Sequence, residues 1–368
     1  MILFLNFAPL SFGGGAEKWM LDMASKLREK EEVRVVQMSD RIANVYSQLV
    51  LKRKFDNRKK LASWLKVQNI TVMSLIPFTS AWKKINIEIA TARVIYTKYE
   101  LNELLLLFYF GRKSALAKTV IGTHSPLLYE HSGLTFFEKM HNLIYLSSFS
   151  MYVLSLSKMV HVLNDSQETL LKKGGLKNVV LIPNYVETTT VEPKKINDGV
   201  LHVGFLGELS WRKGVDILLE VIKKSSPAFK FEIIGDGPAK EEVKNISRAN
   251  MTFHGYLDKT QISKILDSLD VLLQPSRAES FSLASLEAMS HGTVVSSSAS
   301  ITPRSMRDIV EISSSNSSDG YLKVLKKLNE DKKSGALKNM SQKVREITNE
   351  RFSKKKILRE LKEKIFLK

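Results

Sequence analysis

Strand-like runs alternating with helical segments, in two successive series, constrain this chain more than any other feature. Residues 2–7 (ILFLNF) form a short apolar run of the kind that makes a buried strand. The loop APLSFGGGAE follows, and then a helical pattern over about 18–30. Strand runs recur at VRVVQM (33–38), ITVMSLI (70–76), ARVIYT (92–97), KTVIGTH (118–124), MVHVLN (159–164) and NVVLIPN (178–184). TTTVEPKKINDG (188–199) is polar, holds one proline and one glycine, and reads as a linker. The second series is VLHVGFLG (200–207), FKFEIIG (229–235), NMTFHGYL (250–257), DVLLQPS (270–276) and TVVSSS (293–298). Strands separated by helices pair in parallel and bury both faces of the sheet. The expected fold is therefore α/β, with two Rossmann-like domains. Ligands of such sheets sit outside the carboxyl ends of the strands, and two facing domains make a cleft.

Length agrees, because 368 residues exceed one ordinary domain. The expected division is a first domain over 1–187, the linker 188–199, a second domain over 200–350 and a C-terminal amphipathic helix over 351–368. The absence of cysteine excludes disulfides, zinc-thiolate sites and thiol catalysis, and fits a reducing compartment or a hot habitat. No basic flank precedes the first apolar run, so no signal peptide is expected. No run reaches about 18 apolar residues, so no membrane-spanning helix is expected either. The longest apolar patch, LLLLFYF (104–110), reads as core. The expected location is cytoplasmic, or peripheral at the inner face of the membrane.

The net charge of +18 is unevenly spread. Residues 1–190 carry 25 basic and 15 acidic side chains, residues 191–320 carry 15 and 17, and residues 321–368 carry 16 and 6. Lys52, Arg53, Lys54, Arg58, Lys59 and Lys60 cluster in the first half, and Lys354, Lys355 and Lys356 in the tail. These clusters read either as a solvated lysine-rich surface or as a docking patch for an anionic membrane. No nucleic-acid partner is expected, since no recognised module interleaves aromatic with basic residues.

The chemistry concentrates in PSRAESFSLASLEAMSHG (275–292), where Glu279 and Glu287 stand eight apart among small and hydroxyl-bearing residues. A strand ends near Pro275, and a helix is expected over 281–290, with Gly292 just past its end. The N–H groups of Phe281, Ser282 and Leu283 would then face out of the helix start, a place that suits phosphate. A carboxylate accepts from sugar hydroxyls, so the two glutamates could flank a phosphate, one holding a sugar and the other a ribose. Alternatively Glu279 is an N-terminal acid and Glu287 a solvated helix residue. GGGAE (13–17) allows close backbone approach at Gly14 and Gly15, or is a plain strand-to-helix turn. It is not G-x-G-x-x-G, which argues against a dehydrogenase. No metal cluster and no D-x-D at a strand end are found, and no carboxylate spacing supports glycosidase chemistry.

E-x7-E at 279–287 resembles the motif of the family-4-type retaining glycosyltransferases of the GT-B fold (glycosyl transferases group 1). THSP (123–126), IPNYVE (182–187), VGFLGELSWRKGVDILLEVI (203–222), IIGDGP (233–238), FHGYL (253–257) and ERFS (350–353) resemble further motifs in the same order. The resemblance covers nearly the whole chain. It implies two facing Rossmann-like domains and a C-terminal helix that crosses back to the first. It implies a metal-independent, hexosyltransferase-like enzyme without a cofactor, using a UDP- or GDP-sugar and a glycan or lipid-linked acceptor in envelope or surface glycan synthesis. It assigns His124 to the donor sugar, Lys213 to the phosphates, Glu279 to sugar hydroxyls and Glu287 to the ribose. Gly14, Gly15, Arg212, Ser280, Phe281, Ser282 and Leu283 would line the donor, with Gly255 and Tyr256 at the base.

The chain departs from that pattern at four places. Glu208 follows the second glycine of the phosphate loop, where arginine is usual. Ser280 and Ser282 replace glycines after the first glutamate. Tyr185 replaces glycine near the hinge, and SASITPRSMRD replaces a glycine-containing loop. These departures keep open a second expectation, a catalytically degenerate nucleotide-sugar-binding protein.

Overall fold

The computed structural model describes residues 1–6, 15–38, 71–75, 80–100, 114–131, 133–188, 198–246 and 248–367. Gly14, the 104–110 patch, the 52–60 basic cluster and most of the linker lie outside them. The chain forms two compact units. One comprises Met1–Leu128, Thr135–Ile182 and Leu358–Lys368, and the other Tyr129–Leu134 and Pro183–Ile357.

Among the described residues the first unit is built on seven strands, β1 (Ile2–Asn6), β2 (Val33–Met38), β3 (Thr71–Leu75), β4 (Val94–Lys98), β5 (Thr119–Gly122), β6 (Met159–Val162) and β7 (Val179–Leu181). Their order is β3-β2-β1-β4-β5-β6-β7, and every pairing is parallel. β1 is buried along its whole length, which its unbroken apolar run requires of a central parallel strand. Its core joins Leu3, Leu5, Ile95, Ile121 and Val160 to Ile85 and Ile89 of the helix Ser80–Thr91.

The second unit has six parallel strands, β8 (Leu201–Leu206), β9 (Phe229–Ile234), β10 (Met251–Gly255), β11 (Val271–Gln274), β12 (Val294–Ser298) and β13 (Val310–Ser313), in the order β10-β9-β8-β11-β12-β13. The helix Val215–Lys224 shows how its core is made. Leu218, Val221 and Ile222 share one face and are fully buried with Phe231 and Val271, while Lys223 and Lys224 end the helix where cations suit its dipole. Chain order reverses between β1 and β4 in one sheet and between β8 and β11 in the other. Such reversals open a crevice at the carboxyl end of the sheet.

Several boundaries differ from expectation. The first helix is Gly15–Arg28, so Gly15 is helical and not part of the loop. β13 has no counterpart among the expected strands, because the run VEIS is short and half polar. Residues 129–134, 183–187 and 351–357 group with the second unit. The C-terminal helix is not continuous. A helix Ala336–Phe352 ends at Ser353, which makes a β-bridge with Val186, and the chain resumes as the helix Lys354–Leu361 and a π-helical turn Lys362–Phe366. The bridge is closed by Val186 N–H to Phe352 O at 3.0 Å and Lys354 N–H to Val186 O at 2.9 Å. The last segment packs into the first unit, where Phe366 meets Phe4 and Tyr96 at ring-centroid distances of 5.8 and 5.7 Å.

Candidate active site

In the second unit the loop after β8 and the loop after β11 meet at the reversal point. Trp211–Lys213 is a 3-10 turn ended by Gly214 in the left-handed region, φ 72°. A Cβ on Gly214 would lie 2.0 Å from the carbonyl oxygen of Pro275, so only glycine lets the two loops touch. Arg277 N–H then donates to Arg212 O at 2.9 Å. The same contact brings Lys213 Nζ onto Glu279 Oε1. The Glu279 side chain is 8% exposed and Lys213 21%, so this is a mostly buried ion pair. Ser276 Oγ and Gln274 Nε2 also donate to Glu279 Oε1, at 2.9 and 3.1 Å. Burial pushes the Glu279 carboxyl up, but Lys213, Arg212 and the Ser276 hydroxyl more than offset this and hold it below the usual range.

The rest of the rim supports that pair. Arg277 stacks over Trp211 at 4.0 Å and forms a fork with Asp216 at 2.7 and 2.6 Å. Gln274 is held in turn by the Ser285 hydroxyl, and Asn316 Nδ2 donates to Ser276 O at 3.2 Å. Glu208, the departure in the phosphate loop, lies 3.5 Å from Arg212 and accepts from Ser210 Oγ at 3.3 Å. Both cations of the turn are thus opposed by carboxylates. At the neighbouring strand ends, a Cβ on Gly235 would lie 1.8 Å from Gly207 O, and Gly235 N–H donates to Gly255 O at 2.8 Å. Tyr256 beside them is 71% exposed.

The helix after Glu279 starts later than expected, spanning Leu283–Ser290. Phe281 is therefore buried ahead of it, and Ser282 is its N-cap, with the Ser282 hydroxyl taking the Ser285 N–H at 3.1 Å. The N–H of Phe281 therefore lies outside the helix start, those of the N-cap Ser282 and of Leu283 belong to it, and the Ser285 N–H is already satisfied. Ser280 is buried, and Glu287 lies in the second turn. Among the described residues no group of three or more His, Cys, Asp or Glu side chains is placed to hold a metal, and no helix is long and apolar enough to cross a membrane.

In the first unit, His124 lies two residues beyond β5. Its Nε2 is 2.9 Å from Tyr96 Oη, and its ring lies 4.7 Å from that of Trp19. Glu17, from the GGGAE stretch, is in the first turn of its helix and pairs with Lys98 at the end of β4 at 2.6 Å, both 9% exposed. Of the tail lysines, Lys354 is 17% exposed, bonded to Glu187 at 2.6 Å and placed over the Tyr185 ring at 5.7 Å. It is a structural cation, because the bridge at Ser353 draws it against the 183–187 segment.

Sequence reasoning missed Gln274, Arg277 and Trp211 around the ion pair, and Tyr96, His161 and Gln167 around His124. A signal existed for two of them, since Tyr96 and His161 are polar side chains inside runs that otherwise read as wholly buried strands.

The two reversal-ordered parallel sheets, with the chain returning to the first, define a GT-B glycosyltransferase fold. Residues 200–323, which hold the Lys213–Glu279 pair, match the family described as Glycosyl transferases group 1. A protein of Klebsiella pneumoniae described as an uncharacterized 41.2 kDa protein in cps region is 36% identical over 106 residues, 28% of each chain. The 2-deoxystreptamine glucosyltransferase of Streptomyces kanamyceticus is 32% identical over 101 residues, 25% of this chain and 26% of its own. These matches span little more than a quarter of each relative's length. Among solved structures, Anabaena HepE in complex with UDP and glucose superposes with a TM-score of 0.72 at 18% identity, covering 99% of both chains.

Proposed function

We propose that this chain is a retaining glycosyltransferase that takes a sugar from a UDP- or GDP-sugar and passes it to a glycan or lipid-linked acceptor. The observation that carries this reading is the Lys213–Glu279 pair at the β8/β11 reversal, inside the part of the chain that matches the group 1 family. Lys213 and Glu279 differ in what they suit. An ammonium stabilises the negative charge that grows on a departing diphosphate, and a carboxylate accepts from sugar hydroxyls. Donor binding would exchange the contact between them for one contact each. Arg212 adds a second cation, Glu287 would take the ribose, and the backbone at Gly255 and Tyr256 the base. UDP and glucose in the Anabaena structure support a nucleotide-sugar donor.

Transfer with retention breaks the bond from the anomeric carbon to the diphosphate oxygen. The bond from that carbon to the acceptor oxygen forms on the same face. The acceptor's proton passes to the leaving diphosphate, so the reaction needs neither a metal nor a protein nucleophile. The test is nucleoside-diphosphate release from a panel of UDP- and GDP-sugars, with the anomeric configuration of the product read by NMR. Release from one donor, lost in Glu279→Ala, supports the reading, and an inverted product removes retention. Glu208 beside Arg212 favours the second reading, a non-catalytic nucleotide-sugar binder. Binding of UDP or GDP without release for any donor and acceptor offered would favour that one.

A further inference from the structure

Trp211 is the first residue of the turn that carries Arg212 and Lys213, and it is 41% exposed. Among the described residues of the second unit, it and Tyr256 are the exposed large apolar side chains. Both stand in segments that leave the carboxyl ends of strands, β8 and β10. One exposed aromatic is ordinary on a protein surface. This one is braced. The Arg277 guanidinium lies over the indole at 4.0 Å from its centroid, and Arg277 Nη1 donates to Trp211 O at 2.6 Å. Asp216 in turn holds Nη1 and Nη2 of Arg277. The His131 ring meets the indole at 76° and 4.8 Å, and a Cβ on Gly133 would lie 4.0 Å from Cζ2 and Cη2 of the indole. His131 and Gly133 belong to the 129–134 segment of the second unit.

The brace and the ion pair are two rungs between the same two loops. Arg277 stands two residues before Glu279, as Trp211 stands two before Lys213. Trp211 meets Arg277, and Lys213 meets Glu279. Both Nη groups of Arg277 are committed to Asp216 and to Trp211 O, so Arg277 orients the indole rather than adding a third cation. An indole fixed in this way loses little freedom when a ligand packs on it, which favours binding. Its face carries negative charge density, so it suits C–H groups and not the oxygens of a phosphate. A sugar ring matches both rungs. Its hydroxyls donate to a carboxylate, and its face of C–H groups packs on a flat ring. Small-molecule sites combine apolar surface with a few placed polar groups in this manner.

We propose that Trp211 is a stacking platform for a pyranose ring, supplied by the donor or by the acceptor, and that Arg277 and Asp216 are positioning residues that hold the platform. The C–H face of the sugar packs on the indole, which leaves the ring hydroxyls for the polar groups of the two loops. That a sugar is brought here rests on the proposed function; the capacity to hold one does not. A nucleobase also stacks on aromatic rings, and UDP without its sugar separates the two.

The experiment uses the full chain and two readouts. Saturation-transfer NMR reports contact with the methyl glycosides of glucose, galactose, mannose and N-acetylglucosamine. Calorimetric titration gives affinities for UDP, GDP, UDP-glucose, UDP-galactose, UDP-N-acetylglucosamine and GDP-mannose. The expected result is one sugar whose C–H protons receive saturation from the native protein and not from Trp211→Ala, or whose nucleotide-sugar binds Trp211→Ala about tenfold more weakly, the scale of one stacked aromatic contact. Transfer to the free glycoside marks an acceptor sugar, and an effect confined to the nucleotide-sugar marks the donor's. Trp211→Phe should keep most of the binding, and Trp211→Ala should leave circular dichroism and the affinities for UDP and GDP unchanged. Asp216→Ala, which frees Arg277, should weaken the same sugar about threefold, the scale of an exposed ion pair, and UDP not at all. Equal weakening of UDP and the UDP-sugar in Trp211→Ala overturns the proposal, as does a Trp211→Ala protein that treats every sugar as the native one does. An unchanged sugar affinity in Asp216→Ala overturns the positioning role. Glycoside contact without binding of any nucleotide would end the glycosyltransferase reading and leave the platform standing, and nucleotide binding with no dependence on Trp211 would do the reverse.

Discussion

The loops around Lys213 and the surroundings of His124 satisfy polar groups in opposite ways. In the second unit the groups are charged and opposed: Lys213 against Glu279, Arg212 against Glu208, Arg277 against Asp216. In the first unit burial keeps His124 and His161 neutral, and hydrogen bonds join them to Tyr96 and to the Ile182 carbonyl. The difference follows from burial and partners. Glu279 has three donors on one oxygen, one of them an ammonium, enough to keep its charge with little solvent. His161 and His124 sit against a carbonyl and a phenol, which suit a neutral ring and need no buried charge. The charged region can therefore respond to an anion.

The largest expected effect separates the two regions by activity. Lys213→Ala should lower kcat about 10²–10³-fold, the loss of one preorganised charge at the leaving group, whereas Tyr96→Phe should cost about tenfold. Equal losses, measured as nucleoside-diphosphate release, would erase the distinction. Stability comes next. Lys213→Ala leaves a buried carboxylate unpaired and should destabilise the second unit by about 3 kcal/mol. Glu279→Gln added to it should recover part of that loss. Urea unfolding followed by hydrogen exchange in each unit checks this, and a Lys213→Ala protein as stable as the native one would show that the pair is not buried in solution.

Acid should loosen the two regions in different windows. A histidine held at about 4 in the folded state takes a proton near 6.5 when unfolded. Between those values the unfolded chain binds more protons, so stability falls as pH falls, by about 1.4 kcal/mol per pH unit for each such histidine. Glu279, held below its usual value, contributes stability that is present above about 4.5 and lost only as pH falls further. Hydrogen exchange should therefore quicken first in the first unit on acidification from pH 7. The smallest effect is expected at Glu208. Removing its charge frees Arg212 and lifts a repulsion, so Glu208→Gln should bind UDP or GDP a few-fold more tightly, the scale of an exposed ion pair. Weaker binding in a calorimetric titration would mean that Glu208 helps to hold the nucleotide.

Much of this was legible in the residues. Alternating apolar runs announce parallel strands because such strands are buried on both faces, and β1, β8 and β11 lie where ILFLN, LHVGFL and VLLQ suggest. Lys213 and Glu279 could each be singled out from their local motifs. Their contact could not, since it depends on Gly214 meeting Pro275 across 61 positions of chain. The helix start near Ser282 was misplaced because Ser280 and Ser282 are both good N-caps, and only the fold selects between them. The bond between Tyr96 and His161 could not be read for a similar reason. Sequence shows that these positions are buried, but not which strands are neighbours.

The measurement that tests the central claim most directly is calorimetric titration of UDP and GDP into the native protein and into Lys213→Ala, at two salt concentrations. The account predicts that one nucleotide binds the native protein, that salt weakens this binding, and that Lys213→Ala loses most of it while circular dichroism is unchanged. Equal affinity for the native protein and the variant, or no binding of either nucleotide, would contradict a donor site built on Lys213 and Glu279.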